Sequence, residues 1–342
     1  MSKRVFELAF EGKKLVVETG EIAKQADGSV LVRLNETAVL STVVGSKEPK
    51  EGDFFPLTVV YDEKQYAVGK IPGSFLRREG RPGEHATLAA RLIDRPIRPL
   101  FSEGFRNEVQ IVNTVMSVDQ DCTPEMTAMF GSSLALCISD IPFDGPIAGV
   151  YVARVNGKLI INPSIKENEL SDIHLAVAGT EEAINMVEAG ANQVPENEIL
   201  EAIMFGHAAI QKLVAFQREI AKEVGKAKRD IPLYHVDEKI EKEVRKLAQK
   251  RLVKAVSIFD KLERQHAIED IEKEIADDFD KRTYADQKAH DLAVKGAKEV
   301  METIVADEVR RLITEDKVRP DSRGVDQIRP LDAQVDLLPR VH

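Results

Sequence analysis

The sequence has no tryptophan, only two cysteines and no unbroken apolar run of about 18 residues. Cys122 and Cys137 cannot build the multi-bridge framework of a small secreted domain. They are expected as reduced thiols, packed like small apolar residues, in a cytoplasmic protein. The missing apolar run predicts no membrane span. The opening MSKRVFELAFEGKK interrupts its apolar residues with charges, so it lacks the core of a secretory signal. Also absent are GxxxxGK[ST], a GxGxxG after a strand, HExxH and paired CxxC, which removes phosphate-loop, dinucleotide and zinc-site readings. Histidines such as His85, His174 and His207 are scattered without a metal spacing. They read as polar surface or core residues, and no acid pair stands out as a metal site.

What is present is room and charge. A chain of 342 residues with 43% hydrophobic content can fill two domains and a remainder. The net charge of −10 at first argues against a nucleic-acid partner. Its distribution reverses that. Residues 64–106 hold nine cations (Lys64, Lys70, Arg77, Arg78, Arg81, Arg91, Arg95, Arg98 and Arg106) against four acids, leaving the rest of the chain at −15. A basic strip on an acidic body steers a polyanion to one place and repels it elsewhere.

Short strands are expected at Val5–Phe10, Lys14–Thr19, Ser29–Leu34, Thr37–Val44 and Pro56–Tyr61, separated by turn residues such as Glu11-Gly12 and Asn35-Glu36. A further strand should run over Glu108–Ser117. Thr123-Pro124-Glu125 then supplies a cap, a first-turn proline and a first-turn acid for a helix to about Ser139. That helix is apolar on all sides, with Gly131, Ser132 and Ser133 in its middle, so it should be buried close against a sheet. Strands at Ala148–Val155 and Lys158–Ile161 flank Asn156-Gly157, a hairpin signal. Ile173–Gly179 and Ile184–Ala189 complete the sheet, and a long helix is expected from Pro195 to Val224. The fold class is thus an α/β domain, a mixed sheet with packed helices, over residues 1–230. Residues 236–315 carry 17 Lys/Arg and 20 Asp/Glu with one glycine and no proline. Val236, Ile240, Val244 and Leu247 step at helical spacing, so a small all-α domain is expected over 235–316.

The segment richest in chemistry is Gly69–Phe101. Gly69, Pro72, Gly73, Gly80 and Gly83 prevent regular structure, which makes Lys70–Gly83 a loop. Phe75 beside Arg77, Arg78 and Arg81 suits single-stranded RNA, because a base stacks on the ring while guanidinium groups hold phosphates. The competing reading is a solvated loop whose Phe75 plugs the core. Arg91 and Arg95 share a helix face, and Pro96 should disfavour helix at Arg95. With Arg98 they either line an anion site or pair with Asp94, Glu103 and other acids as structural bridges.

The run Phe55-Pro56-Leu57-Thr58-Val59, Tyr66, Gly69-Lys70-Ile71-Pro72-Gly73-Ser74-Phe75, Arg77-Arg78-Glu79-Gly80-Arg81-Pro82 and Arg91-Leu92-Ile93-Asp94-Arg95-Pro96-Ile97-Arg98-Pro99-Leu100 closely resembles bacterial polynucleotide phosphorylase. Gly20–Val44 resembles the opening of an RNase PH-like domain. The resemblance implies 3′-to-5′ phosphorolysis of single-stranded RNA by inorganic phosphate, releasing nucleoside diphosphates, and the reverse template-free polymerisation. It implies magnesium, a cytoplasmic homotrimeric ring with no membrane, and other RNA-degradation proteins as candidate partners. Two RNase PH-like domains flank a helical one in that family, and Val318-Arg319-Pro320-Asp321-Ser322-Arg323-Gly324 resembles the start of the second, truncated here to 317–342. Ser322 stands where the family usually has glycine. The catalytic serines, metal-binding aspartates and lysine belong to that second copy, beyond His342. No catalytic or metal residue is therefore expected in this chain, and by itself it should be inactive. What carries over is Phe75 as a stacking residue, with Arg77 and Arg78 holding phosphates. Arg81, Arg91, Arg95 and Arg98 complete the candidate RNA-binding set, and Leu76 replaces the usual second aromatic. A different class of function stays open, a non-catalytic RNA-binding and assembly module.

Overall fold

The computed structural model describes residues 2–50, 52, 54–73 and 75–340. Ser74 of the loop motif and the last two residues of the expected second copy lie outside these. Two compact units are present, one up to Tyr234 and one from His235 onward.

In the first unit β1 (Arg4–Phe10), β2 (Lys13–Thr19), β3 (Gly28–Leu34) and β4 (Thr37–Pro49) form an antiparallel meander. Its turns carry Asn35 and Gly12 at positive φ, where a short amide or a missing Cβ avoids a clash. Strand β6 (Asn107–Ser117) pairs antiparallel with β4, and β5 (Leu57–Glu63) pairs parallel with β6, giving the order β1-β2-β3-β4-β6-β5. A second sheet, β10-β9-β7-β8, is antiparallel and comprises β7 (Ala148–Val155), β8 (Lys158–Ile161), β9 (Ile173–Gly179) and β10 (Ile184–Ala191). Strand β4 runs five residues past the expected end because Gly45 and Pro49 still find partners on β6. Such pairing is a tertiary fact that local pattern does not carry.

Helix α2 (Pro124–Ile138) packs on β3, β4 and β7, with every one of its residues buried. Its small residues set the distance. A Cβ on Gly131 would meet the Ser41 hydroxyl oxygen at 2.3 Å. The polar atoms there are paired, with the Ser41 and Ser132 hydroxyls both donating to Asn113 Oδ1, at 2.6 and 2.9 Å. The C-terminal end of α2 is closed from afar. Lys228 Nζ donates to the carbonyls of Leu136, Cys137 and Ser139, at 2.8, 3.1 and 2.8 Å. A cation there satisfies carbonyls that have no partner within the helix. Both thiols are free and buried, and burial pushes Cys137 up to about 12.

Helix α4 (Glu196–Val224) covers β7 and β9. By length and composition it is apolar enough to cross a membrane, a match the sequence reading did not find. Its buried side, with Ala202, Ile210, Val214 and Ile220, belongs to the same core as the sheets. The short helix α3 (Ile165–Glu169), capped by Ser164, is a further element that the sequence reading did not anticipate.

The second unit holds α5 (Glu238–Val256), α6 (Lys261–Asp280) and α7 (Gln287–Arg311) around a separate core. Val244, Leu252, Ile275, Phe279, Met301 and Ile304 are its fully buried centre. Asp237, Asp260 and Asp286 cap the three helices by accepting backbone N–H bonds in the first turn. From Val318 to Arg340 the described residues form neither helix nor strand.

Candidate nucleic-acid interface

Parallel strands cannot be joined by a tight turn, so the chain between β5 and β6 must cross over. That crossover is the basic segment. It begins with a 3-10 turn at Gln65–Val68, closed by Gly69 in the left-handed region. It ends with α1 (Glu84–Ile97), anchored by buried Ala86, Ala89, Ile93 and Ile97. Among the described residues, Glu79 Oε1 ties the intervening loop back to this turn by accepting the Gln65 N–H at 2.9 Å.

On this loop Phe75 is 98% exposed, so the plugged-core reading of that ring fails. Leu76, Arg77, Arg78 and Arg81 are exposed as well. Among the described residues none of these three arginines, nor Arg91, has a hydrogen bond or ion pair. Arg77 sits at φ 52°, a region costly for a residue with a Cβ. An unburied phenyl ring forgoes about 1.5–3 kcal/mol of burial. Three unpaired guanidinium groups beside it make this a surface suited to flat rings and anions.

The helix arginines divide. Arg91 and Arg95 are exposed one turn apart on α1. Arg95 pairs with Glu188 of β10 at 2.8 Å, with both partners at least half exposed. Such a pair is worth about 0–1 kcal/mol and exchanges readily for another anion. Arg98 is committed inward: it grips Asp94 through two nitrogens, donates to the Phe55 and Leu57 carbonyls, and lies over the Phe55 ring. Of the two roles open to it from sequence, the structural bridge matches these contacts. Helix α1 itself continues through Arg95 and Pro96 to Ile97, against the expectation that Pro96 would end it earlier. Pro96 and Ile97 are buried, and at the last turn a missing N–H costs one bond while their packing is retained.

Two histidines behave as the sequence reading has them. His207 is buried with its Nε2 3.0 Å from the Thr180 carbonyl, and His174 meets Asn168 Oδ1 at 2.9 Å. His85 is likewise a polar surface residue, and it stands between Glu63 and Glu125. Sequence reading missed that trio since its members come from three elements with no common spacing.

The description "3′ exoribonuclease family, domain 1" matches residues 11–142, and domain 2 of the same family matches residues 145–209. Residues 239–324 match "polyribonucleotide nucleotidyltransferase, RNA binding domain". The polyribonucleotide nucleotidyltransferase of Bacillus pumilus is 61% identical over 340 residues, covering 99% of this chain and 48% of that protein. Those of Anoxybacillus flavithermus and Bacillus subtilis are 60% and 57% identical, with the same shares covered. The chain spans about half the length of the curated relatives it matches.

Proposed function

Because this chain belongs to the polyribonucleotide nucleotidyltransferase family, we propose that a protein of the relatives' full length degrades single-stranded RNA from its 3′ end. Inorganic phosphate is the attacking group and nucleoside diphosphates are the products, with template-free polymerisation as the reverse. In this reading the present chain contributes RNA-channel contacts and ring assembly in a cytoplasmic homotrimer. Residues 1–230 act as the first RNase PH-like domain, 235–316 as the helical domain, and 317–342 as the start of a second RNase PH-like copy. That copy would supply the phosphate-orienting serines and the magnesium ligands.

The observation that carries the proposal is Phe75, 98% exposed on a loop whose three arginines have no hydrogen bond or ion pair among the described residues. A base laid on that ring covers apolar surface whatever its identity, which fits an enzyme that must pass every sequence. Arg77, Arg78 and Arg81 hold successive phosphates, and Arg91 and Arg95 extend the positive surface along α1. Arg98 keeps α1 in place rather than touching RNA. The His85 trio does not suit magnesium, which takes oxygen ligands in octahedral geometry, so no magnesium step is assigned to these residues. By itself the chain then acts as a non-catalytic RNA-binding and assembly module.

The test uses poly(A), phosphate and magnesium. A tag-free preparation of the 342-residue chain should bind poly(A) and release no ADP, while a protein of the relatives' length releases it. Magnesium-dependent ADP release by the 342-residue chain alone would overturn this division of labour.

A further inference from the structure

Three elements converge beside the start of α1. Glu63 closes β5, His85 is the second residue of α1, and Glu125 lies in the first turn of α2. His85 Nδ1 is 3.4 Å from Glu63 Oε1 and its Nε2 is 3.1 Å from Glu125 Oε1. One donor atom from each residue lies within 4.8 Å of the other two. The Glu125 side chain is only 9% exposed, and its Oε2 is buried with no hydrogen-bond partner among the described residues.

The surroundings do not supply the missing donor. The Tyr61 hydroxyl donates to Glu63 Oε1 at 2.9 Å, so it is already used. A buried carboxylate with a bare oxygen is costly unless a cation meets it. His85 reaches only Oε1.

We propose that Glu63, His85 and Glu125 form a binding site for a transition-metal dication, with Zn2+ the best-fitting case. One imidazole nitrogen and two carboxylates match the mixed nitrogen and oxygen donors such ions take, and exclude magnesium as the preferred occupant. A metal also explains the bare oxygen, since it can take both oxygens of Glu125. Bonds of roughly 2.1 Å require the donors to close in on one another. Glu125 is fixed by burial, whereas His85 and Glu63 are 65% and 41% exposed and can turn onto it, Glu63 exchanging the bond it accepts from Tyr61. The occupied site ties β5 and α2 to the first turn of α1, where the loop bearing Phe75 and the arginines ends. It is therefore a structural clamp on that loop, independent of whether the loop binds RNA.

The experiment titrates tag-free, chelator-treated 342-residue chain with Zn2+ against a chromophoric chelator. One equivalent should bind, and a tenfold excess of Mg2+ should not displace it. Glu125→Gln and His85→Ala should each weaken binding on the order of 100-fold, while His174→Ala leaves it unchanged. His85 is largely in solvent, so its variant stays folded even if Glu125→Gln does not, and thermal melts verify this. No bound equivalent in the unaltered chain, or His85→Ala binding as tightly as the unaltered chain, would overturn the site.

Discussion

Phe279→Ala is expected to lower the stability of the helical unit by about 3–5 kcal/mol while leaving the melting of the α/β unit unchanged. Phe279 is 1% exposed and sits among Val244, Leu252, Ile275, Met301 and Ile304. The Arg282 guanidinium lies 3.9 Å from its ring centroid, and the Tyr284 hydroxyl donates to its carbonyl at 2.8 Å. Truncation removes the largest buried side chain of a small three-helix core and the ring face beneath Arg282, which keeps its pairs with Glu243 and Asp278. A unit this small has little stability in reserve, so the loss is a large share of the total. Calorimetry should show two transitions, with only one moving, by roughly 12 °C or more. A single transition shifting as a whole would mean that the two cores do not melt separately.

Phe75→Ala should do the reverse. It is expected to weaken single-stranded RNA binding by about 1–3 kcal/mol, roughly 5- to 150-fold, with no change in thermal stability. The ring touches almost nothing in the free protein, so its removal opens no cavity. Because stacking is not ionic, the loss should persist at high salt. Titrations of an oligo(A) at low and high salt, beside thermal melts, check both halves. Unchanged RNA affinity would remove Phe75 from the interface.

How far sequence reached differs by level. Strands β7 and β8 are found with their expected bounds, since alternation and the Asn156-Gly157 turn are local signals. The start of α2 at Pro124-Glu125 is local too, although the Thr123 hydroxyl makes no cap bond, and Gly131 marks the helix's close approach to β4. What sequence could not carry is long-range pairing. The parallel match of β5 with β6, the extension of β4 to Pro49 and the bonds from Arg98 to the Phe55 and Leu57 carbonyls all depend on partners tens of residues away, whereas its pair with Asp94 is local. The same holds for Glu63, His85 and Glu125, which no spacing rule joins. On the loop, sequence left Phe75 open between core plug and exposed ring, and its exposure decides that question.

The central claim is that the arginines of this loop hold phosphates, and salt dependence tests it most directly. The affinity of the 342-residue chain for oligo(A) is measured across salt concentrations, beside the Arg77→Ala/Arg78→Ala/Arg81→Ala variant. With three phosphate contacts at about 0.7 each, log affinity should fall against log salt with a slope of roughly −2, and the variant's slope should approach zero. A variant that binds with the same slope as the unaltered chain would contradict the account.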